Sequence, residues 1–255
     1  MNIVMIGAGR LATQFARALK DSGHNIDAVY SRTMQSASAL CRLVGGVATD
    51  SVADLPTDSD VYIVAVKDSV LPQLLPQLAK NREQRPFFHT AGSVPMSVFC
   101  GLMKHYGVIY PMQTFSKERN VDFARVHIFI EGSDGAMVKL ARTIAASVSN
   151  SVMELSSDDR RQLHLAAVFA SNFTNHCYAL SAQILEKHGL PFDVMLPLID
   201  EVAAKVHTMS PREAQTGPAV RYDENVISAQ IEMLSDNKTA QEVYRIMSKS
   251  IHENS

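Results

Sequence analysis

Six residues near the start of the chain constrain it most. Gly7-Ala-Gly-Arg-Leu-Ala12 lies directly after an apolar run, residues 3–6, and opens a helical pattern over residues 11–22. In that context the spacing G-x-G-x-x-G/A has a physical reading. Gly7 permits a tight turn, Gly9 lets a pyrophosphate approach the backbone, and Ala12 lets the helix lie close to the sheet. The helix N-terminus then faces the negative charge. Gly7, Gly9, Arg10 and Leu11 are therefore the first residues expected to hold a dinucleotide. A glycine-rich turn without a ligand is the plainer alternative.

The tip of the second strand, expected over residues 26–31, decides which dinucleotide. An acidic residue there would hold a ribose 2′-hydroxyl, and a basic one would accept a 2′-phosphate. The chain reads Ala28-Val-Tyr-Ser-Arg-Thr33. Asp27 falls inside the strand, whereas Ser31, Arg32 and Thr33 form a phosphate-binding set at its end. This favours NADP(H) over NAD(H). Arg32 could instead solvate the loop or stack on adenine.

Strand-like and helix-like patterns alternate through the first 155 residues, with further strands expected at 61–66, 87–90, 108–110, 126–131 and 152–155. Helices are expected at 36–44, 70–79, 94–103 and 135–148. Such alternation implies an α/β fold, a Rossmann-type doubly wound, mostly parallel sheet. Ligands of open α/β sheets lie at the C-terminal strand ends, which adds Val66, Lys67 and Asp68 after one strand and Ala91 and Gly92 after the next. From Ser156 the pattern becomes wholly helical, with capping residues at Ser156-Ser-Asp-Asp159 and breaks at Gly189-Leu-Pro191 and Met209-Ser-Pro211. The expected domains are 1–155, binding NADP, and 156–255, an all-helical substrate and dimerisation domain. Apolar helix sides at 226–234 and 243–247 make a homodimer the expected assembly.

Other function classes are disfavoured. With 24 basic and 26 acidic residues in 255, the net charge of −2 offers no global field for nucleic acid or anionic membranes. No stretch approaches the roughly 18 apolar residues that would span a bilayer. Three cysteines without C-x-x-C spacing suggest neither a disulfide framework nor a zinc site, and the histidines show no metal-ligand spacing. No signal peptide is apparent, and a cytoplasmic, metal-free protein is the expectation.

Hydride transfer to a C=O or C=N bond also needs a proton donor. On the helix expected from about residue 158, His164, Ser171 and Asn175 fall within about 20° of one another at 100° per residue, and Asn172 lies about 80° from His164. Burying such a set is costly unless its members bond each other or a ligand. His164 is the candidate proton donor, with Asn172 and Asn175 orienting a small-molecule substrate; an interdomain or dimer interface would satisfy the same groups. Gln113, Thr216 and Arg221 are further substrate candidates, although Thr216-Gly-Pro218 also suits a plain tight turn.

Together, Gly7-Ala-Gly-Arg-Leu-Ala12, Ser31-Arg-Thr33, His89-Thr-Ala-Gly-Ser93, the segment from His164 to Asn172 and Thr216-Gly-Pro218 resemble the bacterial Rossmann-like NADP oxidoreductases with a C-terminal helical domain of unknown function. The N-terminal motifs are shared with ketopantoate reductase, 3-hydroxyisobutyrate dehydrogenase, pyrroline-5-carboxylate reductase and deazaflavin-dependent NADP reductase. The resemblance implies an NADP-dependent reductase with a helical domain that dimerises. One feature departs from the hydroxyacid dehydrogenases, whose catalytic lysine lies on the first long helix of the second domain. Here that helix carries His164 and Asn172, with Lys187 only at its far end. The expected function is reduction of a small carbonyl or imine bound between the domains; the alternative is a non-catalytic NADP sensor or partner-binding module.

Overall fold

The computed structural model describes residues 1–255. Eight strands form one sheet in the order β3-β2-β1-β4-β5-β6-β7-β8. They are β1 (Asn2–Ile6), β2 (Asn25–Tyr30), β3 (Val47–Thr49), β4 (Val61–Val64), β5 (Pro86–His89), β6 (His105–Met112), β7 (His127–Gly132) and β8 (Ser151–Glu154). All neighbours pair in parallel except β6 and β7. The chain moves outward from β1 to β2 and β3, then returns to β1's other side with β4. That reversal leaves a crevice at the C-terminal ends of β1 and β4.

Burial on both faces explains the uninterrupted apolar strands. Ile3 and Met5 pack on one side with Phe15 and Leu19 of α1 (Arg10–Asp21), Leu40 of α2 (Met34–Val44) and Ala141 and Ile144 of α4 (Gly135–Ala146). Val4 and Ile6 pack on the other with Leu71, Leu74, Leu75 and Leu78 of α3 (Leu71–Ala79).

Two expectations fail locally. The helix over 94–103 is a single 3-10 turn, Met96–Phe99, because extended Pro95 starts it and Gly101, at φ +76°, follows at once. The edge strand β3 went unanticipated because three residues are too few to display alternation; Gly46, at φ +82°, turns the chain into it.

By contacts, the chain divides into compact units Met1–Ser171 and Asn172–Ser255. Secondary-structure type changes earlier, at α5 (Ser157–Ala167), but α5 is bound to the sheet. Arg160, 1% exposed, donates from Nη1 to Glu131 Oε2 on β7 at 2.5 Å and from Nη2 to the Val94 carbonyl at 2.7 Å. Ser157 Oγ also donates to Glu131, at 2.7 Å. A π segment, Val168–Phe173, follows.

The second unit contains α6 (Thr174–Lys187), α7 (Leu196–Lys205), a one-turn α8 (Pro211–Ala214) capped by Ser210 and Glu213, α9 (Glu224–Met233) and α10 (Lys238–Glu253). Gln241 of α10 donates to the Ile231 carbonyl at 2.9 Å, and Lys187 pairs with Asp236 at 2.6 Å. Few apolar side chains are buried here, while Leu190, Val194, Leu198, Val202, Met233 and Ile246 are exposed. No helix of the protein is long and apolar enough to cross a membrane.

Candidate functional site

The first unit brings five strand exits and one helix to a common edge. At the β1 exit, Gly7 has φ +115°, and a Cβ there would lie 2.2 Å from the Ala65 carbonyl oxygen. Only glycine fits so tight a turn. Gly9, the N-cap of α1, has open space where its Cβ would be, and α1 begins without a side-chain cap or an acidic first-turn residue. Its leading N–H groups can therefore serve an anion. Ala12 is fully buried, Arg10 is exposed and Leu11 half-buried.

At the β2 exit, Arg32 is exposed beside half-buried Ser31. The Thr33 hydroxyl accepts from Ser36 N as the cap of α2 and donates to Ser36 Oγ at 2.9 Å. Asp27 is occupied inside the strand by Ser59 Oγ at 2.5 Å and Asn25 Nδ2 at 2.7 Å. After β4, Val66 is half-buried and Lys67 and Asp68 are exposed. The Ser93 hydroxyl donates to Asp68, joining the β4 and β5 exits.

At the β5 exit, Ala91 N donates to His89 Nδ1 at 3.1 Å. Burial holds His89 down at about 3, helped by the positive charge of Arg160 and opposed by the Pro95 backbone. Its imidazole is neutral. Next to it, a Cβ on Gly92 would lie 2.5 Å from His164 Nδ1 and 3.0 Å from Tyr110 Cζ. Tyr110, near the end of β6, meets His164 with its hydroxyl 3.0 Å from Nδ1 and the rings edge-to-face at 5.9 Å. Burial pushes the Tyr110 phenol up, Arg160 opposes this, and Asp68 adds to it. Gln113 follows β6 and is exposed, its Oε1 accepting from Thr114 N at 2.8 Å.

The expected polar helix face needs correction. A π turn takes in one residue more than an α turn, so residues beyond Val168–Phe173 are rotated by about 100° from where a uniform helix would carry them. The alignment of Ser171 and Asn175 with His164 rested on that uniform step. Ser171 instead donates to the Ala167 carbonyl at 2.7 Å. Asn172 and Asn175 begin the second unit. Thr216 and exposed Arg221 lie farther along it, around a turn containing Gly217 at φ +108°. Sequence reasoning missed Tyr110 and Arg160. The signal for Arg160 was its i, i+4 spacing from His164, which puts both on one face of α5.

Residues 2–87 match the family described as NADP oxidoreductase, coenzyme F420-dependent, and residues 126–251 match a domain of unknown function, DUF2520. Over 99% of this chain and 98% of the other, the protein is 51% identical to the putative NADP oxidoreductase BF3122 from Bacteroides fragilis, with a TM-score of 0.95. The chain belongs to this NADP oxidoreductase family. Its cofactor is NADP, and it is an oxidoreductase. The oxidoreductase shares its fold with an imine reductase from Myxococcus stipitatus in complex with NADP+ (19% identity, TM-score 0.67, covering 99% and 93% of the two chains). It also shares it with 1-pyrroline-5-carboxylate reductase from Streptococcus pyogenes (15%, 0.64, 99% and 98%). No curated protein matches it.

The β1 and β2 exits of the oxidoreductase fit the cofactor on their own chemistry. The turn at Gly7 excludes any side chain, Gly9 leaves the α1 N-terminus open, and Arg32 supplies a cation at the strand tip. No cluster of three or more His, Cys, Asp or Glu side chains is placed to hold a metal ion.

Proposed function

We propose that the protein is an NADPH-dependent reductase of a small carbonyl or imine compound, with His164 as the proton donor. The observation that carries this reading is the convergence of Gly92, Tyr110 and His164 at the same sheet edge as the Gly7–Gly9 turn. Bound NADPH supplies the hydride. Gly7, Gly9, Arg10 and Leu11 receive its pyrophosphate, and Ser31, Arg32 and Thr33 its 2′-phosphate. Thr33 contributes backbone in this reading, because its hydroxyl caps α2. Val66, Lys67, Asp68, Ala91 and Gly92 line the rest of the dinucleotide's path.

Gln113 at the β6 exit then holds the substrate, while His164 protonates the carbonyl oxygen or imine nitrogen. The relatives that reduce C=N bonds support this class of reaction. The exposed apolar side chains of the second unit support a homodimer formed through it.

Fluorescence titration with NADPH and NADH tests the cofactor half. NADPH should bind more tightly, and Arg32→Ala should cut that preference at least about tenfold, the effect of losing a charge-assisted phosphate contact. Turnover of 1-pyrroline-5-carboxylate, 1-pyrroline or pyruvate tests the chemistry. In His164→Ala, kcat should fall by about a hundredfold or more with NADPH affinity retained. Tighter binding of NADH, or full activity in His164→Ala, would overturn the reading. A wild type that binds NADPH yet turns over none of these probes would favour the sensor.

A further inference from the structure

We infer that Tyr110 is the positioning residue behind His164, holding its Nδ1 so that Nε2–H faces the substrate, and that it replaces the proton His164 delivers. The inference rests on the reductase reading above and extends it to a residue the sequence did not single out.

The Tyr110 ring packs with Phe129, and its hydroxyl is left for His164. Its hydroxyl sits 3.0 Å from His164 Nδ1, and the edge-to-face rings, 75° apart, fix the approach. Gly92 presses on both rings, since a single added carbon would lie 2.5 Å from Nδ1 and 3.0 Å from Tyr110 Cζ. A side chain at position 92 would push the pair apart. The helix carrying His164 is anchored one turn earlier, where Arg160 bonds Glu131 and the Val94 carbonyl. The imidazole is thus held from two directions, by the phenol and by the root of its own helix.

The relay requires the phenol to be the donor of this hydrogen bond. A phenol in a buried setting keeps its proton, and burial here pushes Tyr110 further that way. With the hydroxyl donating, Nδ1 accepts, and a neutral ring then carries its proton on Nε2, the tautomer that delivery to the substrate needs. Reduction then balances as follows. The carbon of a neutral C=O or C=N group gains the hydride of NADPH, which is oxidised to NADP+, and the π electrons move to the heteroatom. The heteroatom takes the Nε2 proton of His164 as the Tyr110 O–H proton passes to Nδ1. Water reprotonates the Tyr110 oxygen in turn, so the proton gained by the heteroatom is drawn in the end from solvent and both side chains return to their neutral forms. The relay serves a substrate that arrives unprotonated, which narrows the class to carbonyls and weakly basic imines.

The test begins with tautomer state, which needs no turnover. In protein labelled with 15N-histidine, long-range 1H–15N correlation spectra identify the protonated ring nitrogen, with His164 assigned by the signals lost in His164→Gln. Wild-type His164 should be the Nε2–H tautomer, and Tyr110→Phe should erase that bias. With 1-pyrroline-5-carboxylate, 1-pyrroline or pyruvate and NADPH, Tyr110→Phe should lower kcat tenfold or more while KM and the NADPH Kd stay within about twofold. An Nδ1–H tautomer in the wild type, or an unchanged kcat in Tyr110→Phe, overturns the relay while leaving the reductase reading standing. Failure of the wild type to turn over every probe overturns the reductase reading and the relay with it.

Discussion

Gly92 and His164 are in such close contact that a methyl group on the glycine would stand 2.5 Å from Nδ1 and 2.7 Å from Cγ of the imidazole. Gly92→Ala must therefore displace His164 or Tyr110, because heavy atoms do not persist below about 3 Å without hydrogen bonding. The expected result is a kcat reduced at least tenfold, with NADPH affinity changed less than kcat and His164 ring resonances shifted in the 15N spectrum. Wild-type kinetics and unshifted resonances would show that the loop yields freely.

Glu131 and Arg160 form the ion pair that binds α5 to the sheet. Arg160 is almost wholly enclosed, so Glu131→Gln would leave its charge poorly compensated. Breaking a buried pair from one side costs about 3–5 kcal/mol, and partial exposure of Glu131 places the expected loss near the lower figure. Denaturant unfolding would measure it. Replacing both residues, Glu131→Leu with Arg160→Met, should recover much of the stability. It should not restore turnover, because the Arg160 charge next to Tyr110 is lost.

His89 makes acid stability measurable at one residue. Its pKa is lowered from 6.5 to about 3, chiefly by burial, so between those values the unfolded chain binds a proton that the fold refuses. Its contribution is fully present above pH 6.5 and is lost as pH falls toward 3, at no more than about 1.4 kcal/mol per pH unit. In His89→Gln, the slope of stability against pH between 4 and 6 should flatten by up to that amount. An identical slope in the two proteins would assign the acid sensitivity elsewhere.

Gly7→Ala tests the turn that opens the dinucleotide site. With φ at +115° and the Ala65 carbonyl oxygen 2.2 Å from the new carbon, the backbone must move at the meeting point of β1 and β4. NADPH binding should be lost, or weakened more than a hundredfold, with a fall in Tm of several degrees. Retained tight binding would mean that the pyrophosphate does not depend on this turn.

The residues of these sites were not equally legible in the sequence. Gly7 was, because a tight turn between a buried strand and a helix is a local demand that a residue type answers directly. The exposed position of Arg32 just past the end of β2 was legible for the same reason. The failed helix over 94–103 shows the limit of periodicity: apolar spacing suited a helix, but Pro95 and the φ +76° of Gly101 leave room for one turn. The polar face drawn from His164 to Asn175 failed more instructively. One π segment altered the angular step on which the alignment depended.

What the sequence determined by itself was therefore the alternation of most strands and helices and the glycine turn at the β1 exit, both of which rest on neighbours within a few residues. Only the tertiary structure decided that Tyr110, 54 residues before His164, is its partner, that Gly92 lies against both, and that Arg160 is buried at their root. These relationships depend on which strand exits the sheet topology brings together. The energetic worth of a phenol, an imidazole or a guanidinium is set by the groups packed around it, and no residue type carries that information alone.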